Sequence, residues 1–192
     1  MIRIPPIKGV VHQKRRGNNR RARAFTLIEL AIALVVISIL LALGIPSFKV
    51  WMLNSQIRNG AEAVLNGIQL ARANAIQRNL LVVFTLTPPT GTTPASWSVD
   101  LDNGTANIQR WSGAEGASQT TITTNDGATK VTFNGLGQRV TNSDGSASLA
   151  QVDVTSSAST AAEIRPLRVV VGAAGSAKTC DPSLATTDPR AC

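Results

Sequence analysis

Residues 25–45 read FTLIELAIALVVISILLALGI, and the fold turns on how that run is read. It is apolar or uncharged throughout, with Glu29 the one exception. As a helix rising about 1.5 Å per residue it reaches roughly 31 Å, enough to cross the hydrocarbon core of a bilayer. A carboxylate inside such a span costs about 2.5–3.5 kcal/mol or more, so it marks function by default.

Upstream of the run, residues 1–24 carry Arg3, Lys8, Lys14, Arg15, Arg16, Arg20, Arg21 and Arg23 and no acidic residue. These eight account for the whole formal net charge of +8. From residue 25 onward, 11 Lys/Arg face 11 Asp/Glu and the charge is balanced. The basicity therefore reads as topology, because Lys/Arg ahead of a span hold that end in the cytoplasm. The competing reading, a basic nucleic-acid arm, is disfavoured by charges that abut an apolar span. The run exceeds the 7–15 residues of a secretory h-region, and no A-x-A site follows it. The expectation is a leader that is lost and a span that is retained.

Beyond the span, Pro46 lacks an N–H and is expected to kink or loosen the helix. Val50, Leu53, Ile57, Ala61, Val64, Leu65, Ile68, Ala71 and Ala75 then recur at spacings of three and four. That is one apolar stripe on an amphipathic helix, with Gly60 and Gly67 weakening it locally. Helix is predicted from residue 25 to about 77, on the order of 80 Å long.

From residue 80 the period changes to two. Strands are predicted at 80–87, 95–101, 108–111, 120–124, 129–134, 151–155 and 167–171, separated by Pro-, Gly-, Asn- and Asp-rich turns. Trp97, Val99, Leu101, Val131 and Phe133 alternate as core candidates, and the helix stripe is their cover. Ser/Ala-rich 156–162 reads as a flexible loop. Strands following one long helix, without α/β alternation, argue for an α+β fold. The organisation expected is a leader at 1–24, a membrane half-helix at 25–45, an amphipathic half-helix at 46–79 and a β-rich domain at 80–192.

His12 is the only histidine, so a chain without the leader has none, and there is no tyrosine anywhere. Histidine acid–base chemistry and histidine metal ligation are thereby closed off. No paired-carboxylate motif, phosphate loop or nucleophile elbow occurs. An enzyme is not expected, nor a cofactor or metal. Cys180 and Cys192 are the only cysteines. In a translocated domain a disulfide between them is plausible, and a pair of free thiols is the alternative.

The sequence RARA-FTLIEL, at 21–30, resembles the processing site of type IV prepilins and type II secretion pseudopilins. That resemblance implies cleavage by prepilin peptidase between Ala24 and Phe25 and N-methylation of Phe25. The family usually has Gly before the cut, where this chain has Ala24. GIPSF, the helix ending QLARANAIQRN, WSVDLDNG, VTFNGLGQ and the closing CDP…DPRAC are similar to the FimT/FimU/GspH group of minor pilins. The group's C-terminal disulfide loop corresponds here to Cys180 and Cys192. The implied fold is type IV pilin-like, a long N-terminal helix packed on an antiparallel sheet domain. The implied role is that of a minor pilin in type IV pilus assembly or initiation. Its partners would be other major and minor pilins, and Glu29 would meet the N-terminal amine of a neighbouring subunit. Such a pair offsets the desolvation of both charges and sets axial register. The implied location is the inner membrane of a Gram-negative bacterium, single-pass with a periplasmic C-terminal domain, then the pilus or cell surface.

Two alternatives share this fold. One is a DNA-binding minor pilin of natural transformation, with Arg165, Arg168, Lys178 and Arg190 as the phosphate contacts. Glu163, Asp181 and Asp188 and the overall charge neutrality oppose it. The other is a GspH-like minor pseudopilin of type II secretion, which the C-terminal Cys pair disfavours by resemblance.

Overall fold

The computed structural model describes residues 26–104, 106–160 and 162–192, without the side chains of Leu43, Gly44 and Pro46. It divides into two compact units, 1–41 and 42–192.

The described part of the first unit is helical. Helix α1 (Leu27–Arg78) starts here and continues into the second unit. Thr26 caps it, its Oγ1 accepting the Glu29 N–H at 3.2 Å. Thr26-x-x-Glu29 is a capping-box pattern, in which the hydroxyl satisfies an otherwise orphaned amide of the first turn. The apolar side chains along 27–41 are all exposed, from Val36 at 49% to Leu27 at 86%. The Ser38 hydroxyl donates to its own helix at Leu34 O, 2.7 Å away, and so exposes no unsatisfied donor. Among the described residues no single helix is long and apolar enough to cross a membrane. Leu27–Ala42 and Ser47–Arg78 pass by length and composition only when taken together across the break between them. The kink expected at Pro46 falls where side chains lie outside the described residues.

In the second unit the helix ends on a Schellman motif. Asn79 takes φ 51°, Leu80 N–H bonds to Ala75 O at 3.3 Å, and Asn79 N–H bonds to Ile76 O at 3.4 Å. Asparagine is one of the few non-glycine residues that visits this left-handed conformation. The strands follow: β1 (Val82–Thr87), β2 (Ser96–Leu101), β3 (Asn107–Ser112), β4 (Thr121–Thr124), β5 (Lys130–Phe133), β6 (Arg139–Val140), β7 (Gln151–Thr155), β8 (Leu167–Val171) and β9 (Ala177–Cys180). The fold is α+β, as expected.

The single sheet expected from the pattern is in fact two antiparallel sheets. One has the order β3-β2-β1-β5-β6 and the other β4-β7-β8-β9. The predicted strands are all present, and β6 and β9 are additions. Both additions are edge strands, short and polar, so neither carries a periodic apolar signal. Period-two burial holds where it was read. Val82, Phe84 and Leu86 of β1, Trp97 and Val99 of β2, and Val131 and Phe133 of β5 all point inward. Register sets Phe84 against Val99 on one side and Val131 on the other, and Leu86 against Trp97. From α1, Ile57, Ala61, Val64, Ile68, Ala71 and Ala75 join these residues and Val152, Val154, Val169 and Val171 of the second sheet in one core. The helix is thus the common cover of both sheets. Leu101 is half-buried at the margin of this core.

Candidate functional site

Glu29 lies in the first turn of α1 and is exposed. It is the only ionisable side chain among residues 26–41, and no hydrogen bond or ion pair to its carboxylate forms among the described residues. The first-turn amides carry a partial positive charge, which favours a carboxylate there. Thr26 holds that turn, so the carboxylate sits on a fixed helical position. The arrangement leaves a negative charge on an apolar surface with its partner to come from elsewhere. Ala24 and Phe25, the expected cleavage and methylation positions, lie outside the described residues, as does His12.

At the opposite end of the chain, Cys180 and Cys192 form a disulfide. Of the two readings of these cysteines, the bridge is the one realised. The loop it closes is tied internally as well. Asp181 N–H bonds to Arg190 O at 2.8 Å, and Asp181 and Ala191 form a parallel bridge.

The four basic residues weighed as phosphate contacts divide into two kinds. Arg168 on β8 faces Asp153 on β7 in register and holds it in a two-pronged pair at 2.6 and 3.1 Å. The hydrogen bond to Asp153 raises the Arg168 pKa. Arg190 forks onto Asp188 at 3.1 and 3.0 Å, and those bonds lower the Asp188 pKa. Both cations are neutralised where they stand. Arg165 and Lys178 are exposed, with Lys178 of β9 opposite Val170 of β8. Nearby, Ser159 and Thr160 hydroxyls donate to Glu163 and hold its carboxyl below its usual value. The loop read as flexible is therefore hydrogen-bonded. Ser156 within it is buried and donates to Gln119 O at 2.8 Å.

Sequence reasoning missed the polar side chains of α1 that clamp loops onto the domain. Asn54 donates to Glu163 O at 3.0 Å and accepts from Arg165 N–H at 2.8 Å. Gln56 accepts from Gln119 N–H at 3.0 Å. Arg72 donates to Gly137 O at 3.0 Å. In the chain these residues look like an ordinary solvated face, and only the return of loops over 60 residues away gives them a role. No group of three or more His, Cys, Asp or Glu suited to a metal occurs among the described residues.

Comparison with known proteins places the chain. Residues 19–45 match the prokaryotic N-terminal methylation motif. Residues 60–175 match the family described as type II transport protein GspH. Among solved structures, the type IV minor pilin FimU of Pseudomonas aeruginosa is similar at 17% identity, covering 69% of this chain and 93% of that one, with TM-score 0.49. The minor pseudopilin EpsH of the Vibrio cholerae type 2 secretion system is similar at 11% identity, covering 67% and 99%, with TM-score 0.44. No curated protein matches. With more than half of its length matched by the family model, the chain belongs to the family described as type II transport protein GspH, whose members are structural and not enzymes.

Proposed function

We propose that this chain is a minor subunit of a type IV pilus, made as a precursor, cut between Ala24 and Phe25 and methylated at Phe25. Minor pilins and pseudopilins are processed by prepilin peptidase and assemble with other pilins. In this reading the 25–45 segment holds the subunit in the inner membrane with its β-rich domain in the periplasm. The subunit then joins a fibre that reaches the cell surface, and helps to initiate it. The observation that carries the reading is the exposed Glu29 on the first turn of α1, whose next charged residue is Lys49. Cleavage creates an amine four residues away, about 6 Å along a helix, on each subunit. A carboxylate and an amine on neighbouring subunits then offset each other's desolvation. Glu29→Ala and a bulky replacement of Ala24 are expected to abolish incorporation into shed fibres, read by immunoblot, while the membrane-bound precursor still accumulates. Wild-type incorporation of both variants would refute the proposal.

A second reading, a minor pseudopilin of type II secretion, is favoured by the description of the matched family itself. Deleting the gene and scoring surface pili and exoprotein secretion separately discriminates the two, since each reading predicts loss of only one.

A further inference from the structure

One exposed patch of α1 has no part in the core or in the site above. Ile45, Phe48 and Met52 follow one helix face at spacings of three and four, with Trp51 beside them. They are 63, 57, 42 and 64% exposed respectively. The Phe48 and Trp51 rings lie 5.6 Å apart. The core face of the same helix, beginning at Leu53 and Ile57, is on the opposite side. Continuing along the outer face, the next positions are Ser55, Asn59, Glu62 and Asn66. The outer face therefore turns from aromatic to polar within one turn of Met52. Phe48, Trp51 and Met52 also fall between the two matched families, which end at 45 and begin at 60.

We propose that Phe48, Trp51 and Met52, flanked by Lys49, form an interfacial anchor that rests in the headgroup layer of the membrane. The inference rests on the membrane-anchored reading given above and specifies where the bilayer ends. By length alone, residues 25–45 as a helix match a hydrocarbon core about 30 Å thick. The headgroup layer adds roughly 5–7 Å on each side. Residues 48–52 lie about 5–10 Å further along the helix, in and just through that layer. Ser55, about 15 Å beyond Ile45, is past it. Trp and other amphipathic rings concentrate at this depth, where one part of the ring is apolar and another wet. Lys49 is exposed on the flank of the patch, and its aliphatic stem lets the ammonium reach lipid phosphates. The abrupt switch to polar residues favours a bilayer edge over a protein partner, which would follow the outer face further along the helix.

The test is tryptophan depth quenching of the full chain in phosphatidylethanolamine/phosphatidylglycerol vesicles at a low protein-to-lipid ratio. Comparison with Trp51→Phe isolates the Trp51 signal from Trp97 and Trp111. The expected result is blue-shifted Trp51 emission, lost more strongly to lipids brominated near the headgroup than to lipids brominated near the bilayer centre. Emission quenched by aqueous iodide and untouched by brominated lipid, from chain that floats with the vesicles, overturns the anchor and leaves the membrane reading standing. Shielding of Trp51 that appears only as protein density rises makes a neighbouring copy the occupant, and also overturns it. Failure of the chain to float with vesicles overturns the membrane reading itself.

Discussion

Two glycines on the core side of α1 make a paired prediction. Gly67→Ala and Gly60→Ala are the same change on the same helix, two turns apart. In a helix interior alanine is favoured over glycine by about 0.8–1.0 kcal/mol, and both variants gain that. The surroundings differ. A Cβ on Gly67 would sit 2.7 Å from Phe84 Cε2 and 2.9 Å from Trp97 Cε2. Carbon pairs are content at about 3.5–4.0 Å, so the rings must retreat by roughly 1 Å. Both rings are buried, and each is held on both sides, Phe84 on β1 between β2 and β5 and Trp97 on β2 between β1 and β3. Overpacking of this kind costs about 1–3 kcal/mol, which outweighs the propensity gain. Gly67→Ala should therefore destabilise by about 1 kcal/mol net. A Cβ on Gly60 would meet Val154 Cγ1 at 3.3 Å and Ala117 Cβ at 3.5 Å, close to ordinary contact. Gly60→Ala should be neutral or stabilising by up to about 1 kcal/mol. Urea unfolding of the full chain in detergent, followed by tryptophan fluorescence, measures both. In thermal unfolding the same differences amount to about 2–4 °C per kcal/mol. Shifts of the same sign in both variants, with unchanged urea slopes, would refute the claim that Phe84 and Trp97 close over Gly67.

Two further outcomes are expected. Reducing the Cys180–Cys192 bridge, which spans 12 residues of sequence, should cost about 2–3 kcal/mol in the same unfolding experiment, and an unchanged midpoint would count against it. Acidification should loosen the turns built on Asp144 and Asp188. Hydrogen bonds from Lys130 and Ser146 lower the Asp144 pKa, and those from Arg190 lower that of Asp188. A depressed folded pKa gives stability that is full above the unfolded value near 4 and is lost as pH falls through the folded one. The Ser146 and Arg190 amides, which donate to these carboxylates, should lose exchange protection between about pH 5 and pH 2 while core amides keep theirs. Equal protection at both ends of that range would sink the assignment.

Periodicity along the chain was enough to place the helix and seven strands, because all of these but β3, whose Ile108 and Trp111 are only half-buried, carry buried residues of their own. It could not place β6, two residues long, or β9, whose Ala-Lys-Thr-Cys has little to bury and is positioned by β8. The division into two sheets was equally hidden, since strand order is set by long-range pairing and not by local pattern. Glu29 was legible because a charge in an apolar run stands out alone. The neutralisation of Arg168 was not, because Asp153 lies 15 residues earlier and only the β7–β8 register brings the two together.

The left-handed turn at Asn79 has a mechanical consequence. Only residues 79–81 separate the end of α1 from β1, and Leu81 O is held by Asp102 N–H at 3.0 Å. There is no slack between helix and sheet. Tension applied along the helix axis must slide its whole buried face, from Leu53 to Ala75, past both sheets together. Contacts loaded in shear resist as a group, whereas contacts that peel give way one at a time. A subunit tied in this way can be drawn along its helix axis and bring its folded domain with it.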